Sequence, residues 1–300
     1  MPPTISFQGH EVLELTNGAG RALFAPQAGG KLLTWQVGGA TVIPWPDDAD
    51  WEKVASVRGG NPLLFPFIAR HYVNGQLGYW KNATGQVFQL PMHGFARNSE
   101  FKVVECGEAV IRMRLAGNAK THPGYPFAYQ FDAVYELIDN RLRATLEITN
   151  PGDDPMPYYA GHHFYFHVPH GDRGQWEVVC PCKEWGTQDE RGEIHTRPAE
   201  GEVLSLADGG IVDRFQIQPT ADEITLRNAS TGAAAVIRLD AGGEVPWYAV
   251  TTWTQREDSD FFCVEPWLGL PNAIHHGMGL RYLSPGQTET AICELEATGW

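Results

Sequence analysis

The chain has 300 residues, 43% hydrophobic and 19% charged, which is enough apolar material for a large globular core. Its 22 basic and 36 acidic residues give a net charge of −14, which argues against binding to nucleic acid or anionic membranes. No apolar run approaches the roughly 18 residues that span a bilayer, and the N-terminus has no secretory signal pattern. We therefore expect a cytoplasmic protein with no nucleic-acid or membrane partner.

Segments in which apolar and polar residues alternate predict β-strands along most of the chain. In chain order the clearest are FKVVECGEAVIRMRL (101–115), FAYQFDAVYELIDNRLRATLEITN (127–150), EITLRNASTGAAAVIRL (223–239) and TAICELEA (290–297). Turn signals such as TNGAG, NPGDDP and NASTG lie between strands, and DWEKVASV (50–57) is the best helix candidate. The pattern predicts an all-β protein, a large antiparallel β-sandwich with few short helices, in which residues 1–300 form one domain.

Four histidines lie in the aromatic segment AGHHFYFHVPH (160–170). The segment predicts a strand, in which successive side chains point to opposite faces, so that His162 and His163 diverge. His163 and His167 share a face but lie roughly 13 Å apart at about 3.3 Å per residue, too far to bind one metal ion. We expect one or two of the four histidines to be functional.

Two further segments carry basic residues beside glycines. The segment RGGNPLLFPFIAR ends in Arg70, and LPMHGFARNSEF contains His93 and Arg97. Five of the remaining histidines are expected to be structural or exposed: His10, His122, His170, His195 and His276. For His275, which follows the LPNAI loop, a place near the cleft is the less favoured alternative. The cysteines are few and odd in number, which predicts free thiols, with the CPC at 180–182 structural; they are Cys106, Cys180, Cys182, Cys263 and Cys293.

One carboxylate stands out in FFCVEPWLGLPNA (261–273). Glu265 is expected at the end of an apolar strand, beside Trp267. Burial at such a position raises the pKa of a carboxyl group, which suits an acid–base catalyst.

Together these motifs resemble those of the galactose mutarotase-like superfamily of aldose 1-epimerases. They are FPFIAR (65–70), HGFAR (93–97), GHHFYF (161–166), TTW (251–253), EPWLGLPNA (265–273) and GLRYLSPGQ (279–287). They occur in the family's order, and HGFAR is typical of the branch that contains hexose-6-phosphate epimerases. That branch usually has proline where this chain has Phe164, and the alignment places the family histidine at His163.

The resemblance implies a β-sandwich with a carbohydrate cleft and an isomerase that interconverts the α and β anomers of a hexose. It implies no cofactor and no metal, and a monomer or homodimer. By analogy Glu265 is the base at the C1 hydroxyl, His163 is the acid at the ring oxygen, and His93 orients the sugar. Four further residues are assigned to substrate binding: Arg70, Asp213, Arg97 and Trp267.

Three functions from other classes stay open. The same sandwich could bind a sugar without converting it. A glycoside hydrolase would need a second carboxylate about 5–10 Å from Glu265, for which Asp213 is the candidate. A metal-dependent, cupin-like enzyme would use the histidine cluster, which the strand spacing already disfavours.

The charge of the substrate is also open. The HGFAR motif favours a 6-phosphorylated hexose, with Arg70 and Arg97 as the arginine pair that binds phosphate. The net charge of −14 and the lack of a phosphate loop at a helix N-terminus favour a neutral aldose. The balance of these observations favours the neutral sugar.

Overall fold

The N-terminal part of the chain forms a five-stranded antiparallel meander. The structure, a computed structural model, describes residues 4–300. The meander's strands follow one another in the sheet in chain order. They are β1 (Thr4–Phe7), β2 (His10–Asn17), β3 (Gly20–Ala25), β4 (Lys31–Val37) and β5 (Ala40–Ile43).

The rest of the described chain is also built mainly from short strands. They are β6 (Leu63–Leu64), β7 (Tyr72–Val73), β8 (Gln76–Leu77), β9 (Tyr79–Lys81), β10 (Val87–Gln89), β11 (Lys102–Cys106), β12 (Val110–Gly117), β13 (Tyr129–Ile138), β14 (Arg141–Thr149), β15 (Met156–Tyr158), β16 (Gly161–His162), β17 (Phe164–His167), β18 (Trp176–Val179), β19 (Cys182–Gln188), β20 (Ile194–Pro198), β21 (Val203–Ser205), β22 (Arg214–Pro219), β23 (Glu223–Asn228), β24 (Ala234–Arg238), β25 (Ala249–Trp253), β26 (Phe261–Trp267), β27 (Arg281–Leu283) and β28 (Thr288–Thr298). The all-β prediction is confirmed.

The helices are short. The α-helix is α1 (Ala273–His276), and 3-10 turns cover Pro26–Ala28, Trp51–Ser56, Ala96–Asn98, His170–Gln175 and Gly209–Ile211. The turn at Trp51–Ser56 matches the predicted helix, and the Asp50 carboxylate caps it by accepting the backbone N–H of Glu52 at 3.0 Å. Within residues 4–300, no helix combines the length and apolar character needed to cross a membrane.

A nine-stranded antiparallel sheet forms one layer, in the order β11-β12-β13-β14-β28-β24-β23-β18-β21. The predicted alternation is clearest in β14, where every second side chain is buried. Period-two strands bury one face only, so this sheet presents its apolar side to the core and its charged side to solvent.

The second large sheet has the order β20-β19-β22-β25-β26-β16-β6, with β17 also paired to β26. The two sheets meet through aromatic contacts, because Phe65, next to β6, stacks on Phe131 of β13 with ring centroids 4.6 Å apart. Strand β26 is buried along its whole length. One of its faces therefore packs in the core, and the other lies under loops that cover the sheet.

We expect Leu146→Ala in β14 to lower the free energy of unfolding by about 2–5 kcal/mol, because it leaves a cavity in the core. The matched control is Thr145→Ala, on the opposite face of the same strand, which should change it by less than about 1 kcal/mol. Urea denaturation of both variants checks the assignment of faces. Equal losses in the two variants would contradict it.

Candidate active site

The pairing of two strands places His163 opposite Glu265. In the antiparallel ladder Gly161 lies opposite Trp267, and Phe164 lies opposite Val264. The same register puts position 163 across from position 265, and the two side chains share a face. His163 Nε2 lies 3.4 Å from Glu265 Oε1.

Strand β26 continues past Glu265 to Trp267, so the prediction that Glu265 ends the strand is wrong. The strand continues because β25 pairs with it here, with Val250 opposite Pro266 and Ala249 opposite Trp267. On the other side of β26, Pro266 has no N–H to donate and falls opposite His162. The ladder is interrupted there, between β16 and β17. The backbone N–H of His163 points away from β26 and donates to Asn61 Oδ1 at 2.8 Å. The interruption therefore coincides with the proposed acid–base pair.

The four histidines of the 160–170 segment have four different surroundings. His162 is fully buried in the core, where its Nδ1 accepts from Asn61 Nδ2 at 2.9 Å, and burial lowers its pKa to about 3. His163 faces the opposite side, beside Glu265. His167 lines a separate cavity, and the exposed His170 binds Asp260 at 2.7 Å. These four side chains do not converge on one point, so the cluster does not form a cupin-like metal site.

Phe164, which replaces the family proline, lies on the core side. It is fully buried and stacks on His162 at 4.8 Å. It is absent from the cavity wall, so the substitution does not fill the cavity.

A cavity of about 190 Å³ lies over the outer face of the eight-stranded sheet. Strands β25 and β26 supply its floor, and loops supply its walls. Every predicted site residue lines it. The lining residues are Arg58, Ala69, Arg70, Met92, His93, Arg97, His163, Asp213, Thr251, Trp253, Glu265 and Trp267.

Burial favours the neutral forms of the central pair. Glu265 is only 1% exposed, and burial, followed by the nearby Asp213 charge, raises its pKa well above the ordinary value. Burial and the charges of Arg97 and Arg58 lower the pKa of His163 well below its ordinary value. His163 Nδ1 and Glu265 Oε2 have no hydrogen-bond partner within residues 4–300. Both groups therefore have free lone pairs or protons for a ligand.

His93 is held by the backbone of the neighbouring loop. Its Nδ1 accepts the N–H of Ala69 at 3.1 Å, and burial lowers the pKa of its ring. In the neutral ring the proton then sits on Nε2, which makes His93 a hydrogen-bond donor. The following Gly94 has a φ of +72°, and a Cβ there would overlap the carbonyl oxygen of Phe65. The glycine of HGFAR is therefore required for the loop to approach so closely.

The predicted arginines differ in their partners. Arg70 Nη2 binds Asp213 Oδ2 at 2.6 Å, and Arg70 Nε donates to Gln188 at 3.1 Å. Arg97 has no carboxylate partner in the described chain, its Nε is buried without a hydrogen bond, and burial lowers its pKa. Arg70 is thus neutralised by an acid, whereas Arg97 is not.

Sequence reasoning missed the three polar or aromatic residues Arg58, Thr251 and Trp253 of the cavity, besides the apolar Ala69 and Met92. Arg58 lies over the Trp253 ring, 5.3 Å from its centroid, and it too lacks a carboxylate partner in residues 4–300. Thr251 lies opposite Glu265 in the β25–β26 ladder, and its hydroxyl is buried without a partner. The sequence contained a signal for these residues, because Arg58 begins the RGG segment and the TTW segment contains Thr251 and Trp253. Trp253 is also more exposed than Trp267, which is only 2% exposed.

A larger groove of about 940 Å³ lies elsewhere, bordered by Tyr72, Trp80 and Tyr282. His275 lines this groove and not the cavity of Glu265, so the alternative that placed it near the proposed active site does not hold. The groove lacks a buried imidazole–carboxyl pair like that of His163 and Glu265, which is why we assign the chemistry to the smaller cavity.

The remaining minor predictions concern histidines and thiols. Each of the other four histidines contacts one neighbouring residue: His10 stacks on Trp51, His122 stacks on Phe95, His195 binds Asp189, and His276 contacts the Pro271 carbonyl. All five cysteines are free thiols, and Cys180 of the CPC segment is buried in the core.

Comparison with known proteins places this geometry in a family. The aldose 1-epimerase family model matches residues 11–296, and the chain belongs to that family. It is 25% identical over 240 residues to the plasmid-encoded LacX protein of Lactococcus lactis subsp. lactis, covering 73% of this chain and 77% of that protein.

Solved structures share the fold across nearly the whole chain. The Slr1438 protein of Synechocystis sp. PCC 6803 has a TM-score of 0.81 at 23% identity, covering 100% of this chain and 97% of that one. A galactose mutarotase-like protein of Clostridium acetobutylicum has a TM-score of 0.83 at 19% identity, covering 99% and 98%. A galactose mutarotase related enzyme of Lactobacillus acidophilus has a TM-score of 0.80 at 19% identity, covering 96% and 97%. The galactose mutarotase-like β-sandwich is thereby confirmed.

The two adjacent histidines should differ in their effect on stability. We expect His162→Ala to lower the free energy of unfolding by about 2–4 kcal/mol, because it leaves a core cavity and unpaired groups on Asn61. His163→Ala should cost less than about 1 kcal/mol, because it removes a buried polar ring with an unpartnered nitrogen from an existing cavity. Thermal and urea unfolding measure both. A larger loss of unfolding free energy in His163→Ala than in His162→Ala would mean that His163, and not His162, faces the core.

Proposed function

We propose that the protein is an aldose 1-epimerase that interconverts the α and β anomers of a hexose. The observation that carries the proposal is the buried pair of His163 and Glu265, which lie side by side in the lining of a small cavity, 3.4 Å apart. Anomer interconversion needs one group that takes a proton from the C1 hydroxyl and one that gives a proton to the ring oxygen. An imidazole and a carboxyl group can do both without a metal or cofactor.

The proposed reaction begins with ring opening. The pair reacts in its carboxylate–imidazolium form, which holds the same protons as the neutral pair that burial favours. In that form Glu265 accepts the C1 hydroxyl proton while His163 protonates the ring oxygen, the C1–O bond to the ring breaks, and an open-chain aldehyde forms. Rotation about C1–C2 presents the other face of the aldehyde, and the two proton transfers then run in reverse. The pair needs one transferable proton between them. The shared burial keeps that proton on the pair and excludes water that would compete for it.

The other cavity residues are proposed to bind the sugar. The Nε2–H of His93 is suited to donate to a hydroxyl or to the ring oxygen. The Arg70–Asp213 pair presents both donors and acceptors, the mixture that vicinal hydroxyls require. Trp267 and Trp253 supply apolar ring faces for the C–H side of a pyranose. The cavity volume, below the roughly 300–1,000 Å³ of drug-sized ligand sites, favours one sugar ring over an oligosaccharide.

Two of the alternative functions are less well supported. A hydrolase would use Asp213 as its second catalytic carboxylate, but Asp213 is engaged by Arg70 at 2.6 Å and so is better suited to binding. A pure binding protein would have no need to bury an imidazole and a carboxyl group side by side without their hydrogen-bond partners. An assay of catalysis separates these cases.

A second candidate function concerns the charge of the hexose. Arg58 and Arg97 line the same cavity without carboxylate partners in the described residues. The fully buried Lys31 lies outside the cavity lining and donates to the Val54 carbonyl at 2.8 Å. Burial and the charges of Arg97 and Arg58 lower the pKa of Lys31 to about 7. Unpaired buried cations are costly unless an anion compensates them.

We call Arg58 and Arg97 the cationic wall of the cavity. This cationic wall favours a 6-phosphorylated hexose over the neutral sugar that the net charge suggested. It also changes the expected arginine pair. Arg70 is already neutralised by Asp213, so Arg58 replaces it as the partner of Arg97. Bidentate arginine–phosphate contacts are short and charge-assisted, so two free guanidinium groups suit a phosphate.

We expect Glu265→Gln to reduce the rate of anomer interconversion by at least about 100-fold, because the amide keeps the shape but accepts no proton. The measurement is polarimetry or a coupled assay on free and 6-phosphorylated hexoses. Glu244→Gln, an exposed carboxyl outside the cavity, is the matched control and should retain full activity. A Glu265→Gln protein with near-normal turnover would refute the role of the carboxyl group.

The cationic wall predicts that kcat/KM for glucose 6-phosphate exceeds that for glucose by tenfold or more, about 1.4 kcal/mol. Arg58→Ala and Arg97→Ala should each remove most of this preference and leave activity on glucose nearly unchanged. Arg70→Ala should lower activity on both sugars alike, since its pair with Asp213 is assigned to hydroxyls. If glucose is preferred, or if the three variants behave identically, the substrate is neutral and the wall has another role.

A further inference from the structure

A buried thiol lies directly beside the proposed acid–base pair. Cys263 is two residues before Glu265 on β26, so the two side chains share a face, and it lies opposite Tyr165 in the ladder. One donor atom each from His163, Cys263 and Glu265 lies within 4.8 Å of the other two. The three residues bring together nitrogen, sulfur and oxygen donors, the three ligand types that zinc takes in proteins.

The side chains of this cluster include two buried polar atoms without partners. Glu265 Oε2 and His163 Nδ1 are buried without a hydrogen-bond partner in residues 4–300, and both side chains are at least nine-tenths buried. The proposed reaction uses the imidazole and the carboxyl group but gives the Cys263 thiol no task. The thiol is therefore the element of this cluster that the proposed function leaves unexplained.

The distance between the imidazole and the carboxyl group also fits a shared cation. At 3.4 Å, His163 Nε2 and Glu265 Oε1 are farther apart than in an ordinary hydrogen bond. Two ligands at about 2.0–2.1 Å from a tetrahedral zinc ion lie about 3.4 Å from each other. The Cys263 thiol lies within 4.8 Å of both donors, and a zinc–sulfur bond of about 2.3 Å in a tetrahedral site would place it about 3.5 Å from them. His163 and Glu265 line the cavity, so the fourth position of a bound ion would face it.

We propose that His163, Cys263 and Glu265 form a site for a thiophilic divalent cation of the zinc class, and that occupancy reversibly inhibits the enzyme. The inhibitory part rests on the proposed function, because the bound ion would engage the same nitrogen and oxygen that move the protons. Hard cations such as Mg²⁺ prefer oxygen ligands and should not bind through the thiol. Arg58 and Arg97 face the same cavity and oppose a dication, so binding is weaker than at structural zinc sites.

The test has two independent readouts on the full-length protein. The first is binding of Zn²⁺, by equilibrium dialysis with metal analysis, and of Co²⁺, whose thiolate bond gives a charge-transfer absorption band. The second is anomer interconversion at about 50 µM Zn²⁺, with and without chelator. We expect one bound ion, the thiolate band, and at least a tenfold loss of activity that chelator reverses. Mg²⁺ at the same concentration should have no effect.

Cys263→Ser should weaken Zn²⁺ binding at least tenfold, abolish the thiolate band and keep most of the activity measured in chelator. Cys182→Ser, at a half-buried thiol outside the cavity, is the matched control and should behave like the wild type. His195→Ala removes the exposed cluster of Asp189, Glu193 and His195, the other group able to take up an ion.

Unchanged zinc affinity in Cys263→Ser, or no bound ion in the wild type, would overturn the site. Full activity with the ion bound would overturn the inhibition. Zinc binding through Cys263 in a protein that converts no hexose would support the site and contradict only the proposed function.

Discussion

The site depends on one constraint, the register between residues 161–167 and strand β26. With Gly161 opposite Trp267 and Phe164 opposite Val264, the pleat sends His163 and Glu265 to the same face. A shift of one residue would turn His163 into the core and bring His162 to the cavity. Pro266, opposite His162, interrupts the ladder at this point. Asn61, on the side away from β26, accepts the N–H of His163. Asn61 also binds His162, so one buried amide holds both histidines in place.

Several buried polar atoms that have no hydrogen-bond partner lie around the cavity. Buried atoms without partners in the described chain include His163 Nδ1, Glu265 Oε2, Thr251 Oγ1, Trp267 Nε1 and Arg97 Nε. Such groups are costly in a folded protein, and their concentration in one place is typical of a functional site. A hexose carries hydroxyl groups that both donate and accept hydrogen bonds, so it could satisfy several of them at once. Arg58 and Arg97 also lie there without carboxylate partners in the described chain, which is the ground for proposing a phosphorylated hexose.

The alternation of apolar and polar residues predicted much of the fold, because the strands of the nine-stranded sheet bury alternate side chains. It also separated His162 from His163, since the two-residue period holds through the break in the ladder. The pairing of Arg70 with Asp213 joins residues 143 positions apart, so spacing along the chain did not reveal it. For the same reason Arg70 was expected to bind phosphate, and Arg58, far from HGFAR in sequence, was overlooked. The continuation of β26 through Pro266 depends on its neighbours in the sheet, which propensity alone does not specify.

The most direct test follows the anomers themselves. Exchange of magnetisation between the α and β C1 signals of ¹³C1-labelled glucose and glucose 6-phosphate measures ring opening and closure at equilibrium, without a coupling enzyme. Catalytic amounts of the wild-type protein should raise the exchange rate far above that in buffer for at least one of the two. The corresponding methyl glycoside, which has no free C1 hydroxyl, should suppress that increase by occupying the cavity. An exchange rate equal to that in buffer for both sugars, at protein concentrations that bind them, would contradict catalysis by His163 and Glu265.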